Sequence, residues 1–134
     1  MYEVLVVSHS ILAKGFNEAV NMILGSEINY LGLDDDGVEI FHKRLKEKID
    51  AIKEKNKKVL ILADLFGGTP FNKALYEASL DSNVKVISGI NLSMLIEAIM
   101  REKSNIDEVA LEIVESTKDS IKIGIIPNNN EEDE

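Results

Sequence analysis

Short apolar runs alternate with stretches of helical periodicity along most of the chain. The runs at residues 4–7 and 59–63 are apolar at every position, as is typical of strands that are covered on both faces of a parallel sheet. Weaker runs at 28–33 and 84–87 predict two more strands. Because helical segments separate these runs, we predict an α/β fold: a doubly wound, mostly parallel sheet with helices on both faces.

Turn and capping residues mark where the predicted helices begin and end. Gly25 is suited to end the first helix. Asp36 and Glu39 have the spacing of a capping box at the start of the second. For the third, Thr69 is predicted as the N-cap and Pro70 as the first helical residue. These signals give helix boundaries that the structure can test.

Apolar residues three and four positions apart define the helix faces that we expect to be buried. Asn91 or Ser93 is expected to cap the fourth helix, which runs through Met100. The predicted inward residues of the other four helices are Leu12, Phe16, Ala19, Val20 and Ile23; Val38, Phe41, Leu45, Ile49 and Ile52; Phe71, Ala74, Leu75 and Ala78; and Ile106, Val109, Ala110, Ile113 and Val114.

The C-terminal segment has a different pattern. Isoleucines at 121, 123 and 125 alternate with Lys122 and Gly124, and this period of two predicts a half-exposed edge strand. Such an edge needs protection, so we expect sheet extension or exchange between subunits. We predict one domain over residues 1–126 and, from Pro127 onward, a disordered acidic tail over 127–134.

Composition narrows the functional classes. A chain of 134 residues fits one domain with a proper core, and it has no cysteine for disulfides or thiolate chemistry. With no signal peptide or membrane-spanning run in view, we expect a cytoplasmic protein. The net charge of −9 argues against nucleic acid as a partner. Asp34 to Asp36 lack the alternating spacing of a calcium loop, and we predict neither a metal nor a cofactor.

Two polar stretches follow the two strongest strands. Ser8, His9 and Ser10 come after the first, and residues 64–72, Asp-Leu-Phe-Gly-Gly-Thr-Pro-Phe-Asn, come after the third. Ligands of open α/β sheets bind at the carboxyl ends of strands, beside the switch in strand order. With strand order 2-1-3-4, both stretches would flank one crevice.

These residue types suit the transfer of a phosphoryl group. The lone-pair nitrogen of His9 can attack phosphorus, while Asp64 accepts the N–H of the other ring nitrogen and fixes the tautomer. Gly67 and Gly68 allow backbone N–H groups to approach closely, and the Thr69 hydroxyl adds a donor. We therefore predict His9 and Asp64 as catalytic residues and Gly67, Gly68 and Thr69 as the phosphate-binding residues.

Other interpretations of these residues are open. His9 and Asp64 are each compatible with an ordinary loop position, and His42 is expected to be solvent-exposed on a charged helix. Asp64 would itself be the acceptor in a response-regulator receiver, although a receiver needs an acidic pair where this chain has Ser8-His9-Ser10. A non-catalytic, anion-binding or regulatory flavodoxin-like module is a further alternative.

The chain resembles the mannose-type (mannose/fructose/sorbose) enzyme IIA of the bacterial phosphoenolpyruvate-dependent sugar phosphotransferase system. The resemblance extends to about residue 125. It rests on Ser8-His9-Ser10, on residues 64–72, and on a third segment, Ser-Gly-Ile-Asn-Leu-Ser-Met-Leu at 88–95. At Ser93 a proline is common in that family. The phosphotransfer subunit of dihydroxyacetone kinase also has a strand-end histidine, but its corresponding loop does not usually read Gly-Gly-Thr-Pro-Phe-Asn.

The resemblance implies a specific activity. His9 would take a phosphoryl group from the phosphohistidine of HPr and pass it to an enzyme IIB, which serves the membrane permease IIC/IID. Asp64 would match the carboxylate that orients the histidine, and Thr69 the hydroxyl beside the phosphate. The family fold ends in a strand that is exchanged within a homodimer. Which sugar is transported is not implied, because IIA domains do not touch it.

Overall fold

The computed structural model describes residues 1–127, which form four strands and five helices. Strands and helices alternate up to β4, after which two helices follow in succession. In chain order the elements are β1 Tyr2–His9, α1 Leu12–Leu24, β2 Asn29–Leu33, α2 Val38–Lys53, β3 Lys58–Ala63, α3 Thr69–Leu80, β4 Val84–Ser88, α4 Leu92–Met100 and α5 Ile106–Ser120.

The strands form one parallel sheet in the order β2-β1-β3-β4, which confirms the predicted fold class and strand order. In the register of the central pair, Val7 of β1 lies opposite Ala63 of β3. On the other side, His9 lies opposite Leu33 of β2. The order of connection reverses between β1 and β3, so the carboxyl ends of these two strands border the crevice in which such sheets bind ligands.

Helices cover both faces of the sheet, as predicted. On one face, α1, α4 and α5 pack against buried side chains of β1 and β3. On the other, α2 and α3 pack against the opposite side chains of the same strands. The central strands are thus buried on both sides, which explains their uninterrupted apolar sequence. Their most deeply buried side chains include Leu5, Leu60, Ile61 and Leu62.

The buried face of α1 agrees with the predicted one in part, since Val20 is buried and Phe16 packs against the core. The helix buries Ala13, Asn17 and Val20, whereas Leu12 and Ile23 are about half exposed. Asn17 is inward because its amide joins α1 to the segment before β2: its Oδ1 accepts the N–H of Ile28 at 2.9 Å. A hydrogen bond to the backbone thus accounts for a polar side chain on the buried face of α1.

A similar correction applies to α3 and to His42. α3 buries Glu77, and the predicted inward residue Leu75 is half exposed. The Glu77 carboxylate lies 2.7 Å from Nε2 of His42 on α2. The prediction that His42 is solvent-exposed is wrong, because only 24% of its side chain is accessible. A buried carboxylate needs a partner, and His42 supplies it.

The helix caps were predicted in part. Gly25 ends α1 in the left-handed conformation, and the Asn91 side chain accepts the N–H of Met94 at the start of α4, so both of these predictions are confirmed. Gly37, without a side-chain cap, replaces the predicted capping box at α2. Gly68 is the N-cap of α3, which makes Thr69 its first residue and corrects the prediction that Thr69 is the cap.

The segment after α5 forms no strand within the single chain. The sheet of the described residues has four parallel strands and lacks the predicted final antiparallel strand. The side chains of Ile121, Ile123, Ile125 and Ile126 are 72–92% exposed. Exchange of this segment within a dimer stays a prediction. Of the predicted tail, residues 128–134 lie outside the described part of the chain, and Pro127 is exposed.

Candidate active site

His9 and Asp64 meet at the carboxyl ends of the two central strands. His9 is the last residue of β1, and Asp64 follows β3 directly. Oδ2 of Asp64 lies 2.9 Å from Nδ1 of the His9 imidazole and 2.9 Å from the backbone nitrogen of the same residue. One carboxylate oxygen therefore holds both the main chain and the side chain of His9, and two predicted site residues are brought together.

This contact determines which ring nitrogen of His9 is free to react. An ionised carboxylate can only accept hydrogen bonds. Nδ1 therefore carries the proton, and its N–H donates a hydrogen bond to Asp64. In the neutral ring, the lone pair is then on Nε2. The imidazole is 46% exposed, whereas the Asp64 side chain is 10% exposed. The nitrogen with the lone pair thus belongs to an accessible ring, and the carboxylate that contacts the ring is shielded from water.

The environment of Asp64 keeps its carboxyl group ionised. Burial acts to raise the pKa of Asp64, but the hydrogen bonds from the backbone N–H and the imidazole of His9 outweigh it, and the pKa lies below its usual value. Oδ1 of the same carboxylate is buried and has no hydrogen-bond partner among residues 1–127. All the hydrogen bonding of the carboxylate to the described residues is thus through Oδ2, directed to His9.

Gly68 lies close beside the imidazole. A Cβ atom on Gly68 would lie 2.8 Å from Cε1 of His9 and 3.5 Å from its Nε2. The loop backbone therefore approaches the ring edge that bears Nε2, and only glycine leaves room for it. Gly67 has φ of +82°, a conformation that other residues adopt with strain.

Two hydrogen bonds fix this loop at the start of α3. The N–H of Gly68 donates to the carbonyl oxygen of Leu65 at 3.1 Å, which closes a tight turn. The Asn72 side chain donates to the carbonyl oxygen of Gly67 at 3.0 Å. This role of Asn72 was not predicted, although the residue belongs to the motif at 64–72. Thr69 begins α3, so it lies at the positive end of the helix dipole, next to the glycine that faces His9.

Apolar side chains are exposed in the two loops of the site. Ile11, Leu65 and Phe66 are 75%, 58% and 76% exposed, and all three are in the two loops that carry the polar residues. The Phe66 ring leans on Phe71 of α3, with ring centroids 4.9 Å apart. A function was not predicted for these residues, although apolar side chains within a polar loop would have been a usable signal.

The chain is similar to known proteins of one family. The model of the EIIA-man family, described as the PTS system fructose IIA component, matches residues 3–114. The chain belongs to this family. A sorbose-specific EIIA component from Lacticaseibacillus casei is 34% identical over 96 residues, which are 71% of this chain and 70% of that relative. A fructose-specific EIIA component from Bacillus subtilis is 28% identical over 102 residues, covering 74% and 69%.

The fold is also that of solved members of this family. The mannose/sorbose-specific IIA subunit of the phosphotransferase system from Enterococcus faecalis superposes with a TM-score of 0.86 at 26% identity, covering 95% of this chain and 97% of that one. Together with the family match, this makes the chain an enzyme IIA of the mannose type, a phosphoryl carrier in sugar uptake. The resemblance on which the sequence analysis relied is thereby confirmed.

Two features are absent from the described part of this enzyme IIA, residues 1–127. None of its helices combines the length and the apolar character that crossing a bilayer requires. That part of the chain also holds no group of three or more His, Cys, Asp or Glu side chains that could bind a metal ion.

Proposed function

We propose that His9 is the residue that carries the phosphoryl group, received from the phosphohistidine of HPr and passed on to an enzyme IIB. The single observation that supports this most strongly is the pair of 2.9 Å contacts from Asp64 Oδ2 to His9. These contacts keep the proton on Nδ1 and leave the lone pair on Nε2 of an exposed ring. Because HPr and IIB work inside the cell, we place the reaction in the cytoplasm.

In the proposed step, a bond forms between Nε2 of His9 and phosphorus as the bond between phosphorus and the donor imidazole breaks. The donor nitrogen leaves with the electron pair of that bond. The proton on Nδ1 stays in place, and Asp64 stabilises the positive charge that develops on the ring. Transfer to the IIB partner repeats the step with the roles reversed: the Nε2–phosphorus bond breaks and His9 returns to the neutral imidazole.

The loop at 67–69 is proposed to bind the phosphoryl oxygens. Its backbone is close to the His9 ring edge, and the N-terminus of α3 gives this region a positive potential. Gly67 and Gly68 give the oxygens access to the backbone, and the Thr69 hydroxyl is an additional donor. Donors that are in place before transfer stabilise the charge of the transition state without further reorganisation.

Incubation with phosphoenolpyruvate, enzyme I and HPr, followed by mapping of the modified residue, tests this proposal. We expect an acid-labile phosphate on His9, and no label on His9→Ala. His42→Ala is the matched control, since it removes the other histidine of the chain and should be labelled like the wild type. An acid-stable product that hydroxylamine cleaves would instead identify an aspartyl phosphate and refute the role of His9.

We further propose that the exposed isoleucines at 121–126 pack on a second copy of the chain. Alternating apolar residues favour an extended strand, and β4 has a neighbour on one side only in the described sheet. Pairing of the segment from one subunit with the edge of the other subunit's sheet would cover both. The functional unit would then be a homodimer.

A further inference from the structure

The turn between β1 and α1 is fixed by a side chain outside the predicted site. Ser8 precedes His9, and its side chain is completely buried. Its hydroxyl oxygen accepts the N–H of Ala13 at 2.7 Å, and the hydroxyl donates to the carbonyl oxygen of His9 at 3.1 Å. The hydroxyl therefore links the strand that carries His9 to the helix that follows it.

This link is the principal polar connection at the start of α1. Ile11, the N-cap residue, provides no side-chain cap, and the first turn contains no acidic residue. Helix starts normally satisfy their free N–H groups with a side chain near the N-cap. Here the acceptor is Ser8, five residues before the N–H that it binds, so removing its hydroxyl would also release the helix start from the strand.

The turn has a conformation that requires support. Ser10 has φ of +51°, a left-handed conformation that non-glycine residues seldom adopt. Its carbonyl oxygen lies 2.0 Å from the point where a Cβ of Gly32 would be, so the neighbouring strand must have glycine there. The N–H of Ser10 donates to the carbonyl oxygen of Leu33 at 2.8 Å. Tertiary contacts thus hold the turn on both sides of His9.

We propose that Ser8 is a positioning residue for the phosphoryl transfer, an inference that rests on the proposed role of His9. Asp64 fixes His9 through its backbone N–H and its imidazole. Ser8 fixes the same residue through its carbonyl group. The ring can keep Nε2 directed toward the donor only while its backbone is held at both ends, and the Ser8 hydroxyl supplies the second contact.

Two substitutions of Ser8 separate this role from packing. Ser8→Ala removes the hydroxyl, and Ser8→Cys keeps a side chain of similar size with a much weaker hydrogen-bonding group. Thr117→Val on α5 is the matched control, because it removes another buried hydroxyl, one that has no partner among the described residues. The maximal rate and the KM for transfer from phospho-HPr are measured for each, together with the ¹⁵N NMR signals of the His9 ring without phosphate.

We expect the maximal rate to fall about tenfold in both Ser8 variants, with little change in KM, because the two hydrogen bonds of the hydroxyl act on the geometry of the ring and not on docking. The ring signals should move from a single tautomer, protonated on Nδ1, toward an average of two. Thr117→Val should match the wild type in both measurements.

Several results would overturn the role of Ser8. These are wild-type rates and ring signals in both variants, a change in KM alone, an equal loss in Thr117→Val, or failure of both Ser8 variants to fold, which would make the hydroxyl purely structural.

The ring signals do not require phosphate. If His9→Ala were still labelled, the proposed function would fail, whereas the NMR comparison would still report on Ser8 and the ring.

Discussion

At the scale of single residues, the site depends on one carboxylate oxygen that contacts His9 twice. Oδ2 of Asp64 is 2.9 Å from both the backbone nitrogen and Nδ1 of His9. The hydrogen bonds from His9 lower the pKa of Asp64 in spite of its burial, so the group remains an acceptor at neutral pH. The chemistry of the ring is therefore determined by a residue 55 positions away in the chain.

Asp64→Asn tests this dependence. The amide nitrogen can donate to Nδ1, which would favour the tautomer with the proton on Nε2 and remove the nucleophilic lone pair. We expect transfer from phospho-HPr to slow by roughly 10²- to 10⁴-fold. Rapid-quench measurement of the labelled protein gives the rate, with Asp50→Asn on the exposed face of α2 as the control. An unchanged rate would remove the orienting role of Asp64.

Gly68→Ala tests the close approach of the loop. The added Cβ would lie 2.8 Å from Cε1 of His9, so either the ring or the loop must shift. We expect at least a tenfold slower transfer, since small displacements at a reacting centre have large effects on rate. Gly15→Ala in α1 is the control, because its Cβ would meet no atom within 4 Å. Equal rates in the two variants would show that the loop does not need to touch the ring.

At the scale of secondary structure elements, features that depend on nearby residues were predicted from the sequence. Features that depend on contacts between elements were not. The runs at 4–7 and 59–63 identified both central strands, and Asn91 identified the start of α4, because these signals act within a few residues. The inward position of Asn17 depends on its hydrogen bond with Ile28, and the partial burial of His42 depends on its contact with Glu77. The spacing of apolar residues within one helix carries no information on these contacts with other elements.

The same difference between sequence patterns and three-dimensional contacts holds for the predicted site. Fold class and strand order were sufficient to bring His9 and Asp64 to one crevice, because adjacent parallel strands end at one edge of the sheet. The contact of Gly68 with the imidazole and the two bonds of the Ser8 hydroxyl required coordinates. Both depend on turn conformations that residue type alone leaves open.

The His42–Glu77 pair gives a prediction for the packing of α2 against α3. His42→Ala leaves the buried Glu77 carboxylate without this partner, and we expect the free energy of unfolding to fall by about 1–3 kcal/mol. Urea denaturation measures the loss. Arg44→Ala is the comparison, because it breaks the exposed ion pair with Asp36 and should cost about 1 kcal/mol or less. If both variants lose the same stability, burial of the pair has no energetic importance.

At the scale of the whole molecule, the exposed isoleucine segment is the basis for the dimer that we propose. Apolar side chains of this size are exposed singly on most proteins, but here four are exposed within six residues, at 121, 123, 125 and 126. Pairing with a second copy would bury them and would provide β4 with its missing neighbour. The dimer would thereby supply the edge strand that the described sheet lacks.

Sedimentation equilibrium at micromolar concentration tests the dimer. We expect the wild type to be dimeric and Ile123→Asp to dissociate, because a charge within the apolar face of the exchanged strand would be buried without a partner. Lys122→Gln, on the alternate face of the same segment, should stay dimeric. A wild-type protein that sediments only as a monomer would contradict the exchange.

We propose that Asp64 holds the proton on Nδ1 of His9 and thereby directs the phosphoryl group to Nε2. Heteronuclear NMR of the ¹⁵N-labelled protein, phosphorylated through HPr, measures this directly, because coupling between phosphorus and nitrogen identifies the bonded atom. We predict coupling to Nε2 of His9, with Nδ1 still protonated. A phosphate on Nδ1, on Asp64 or on another residue would contradict the account.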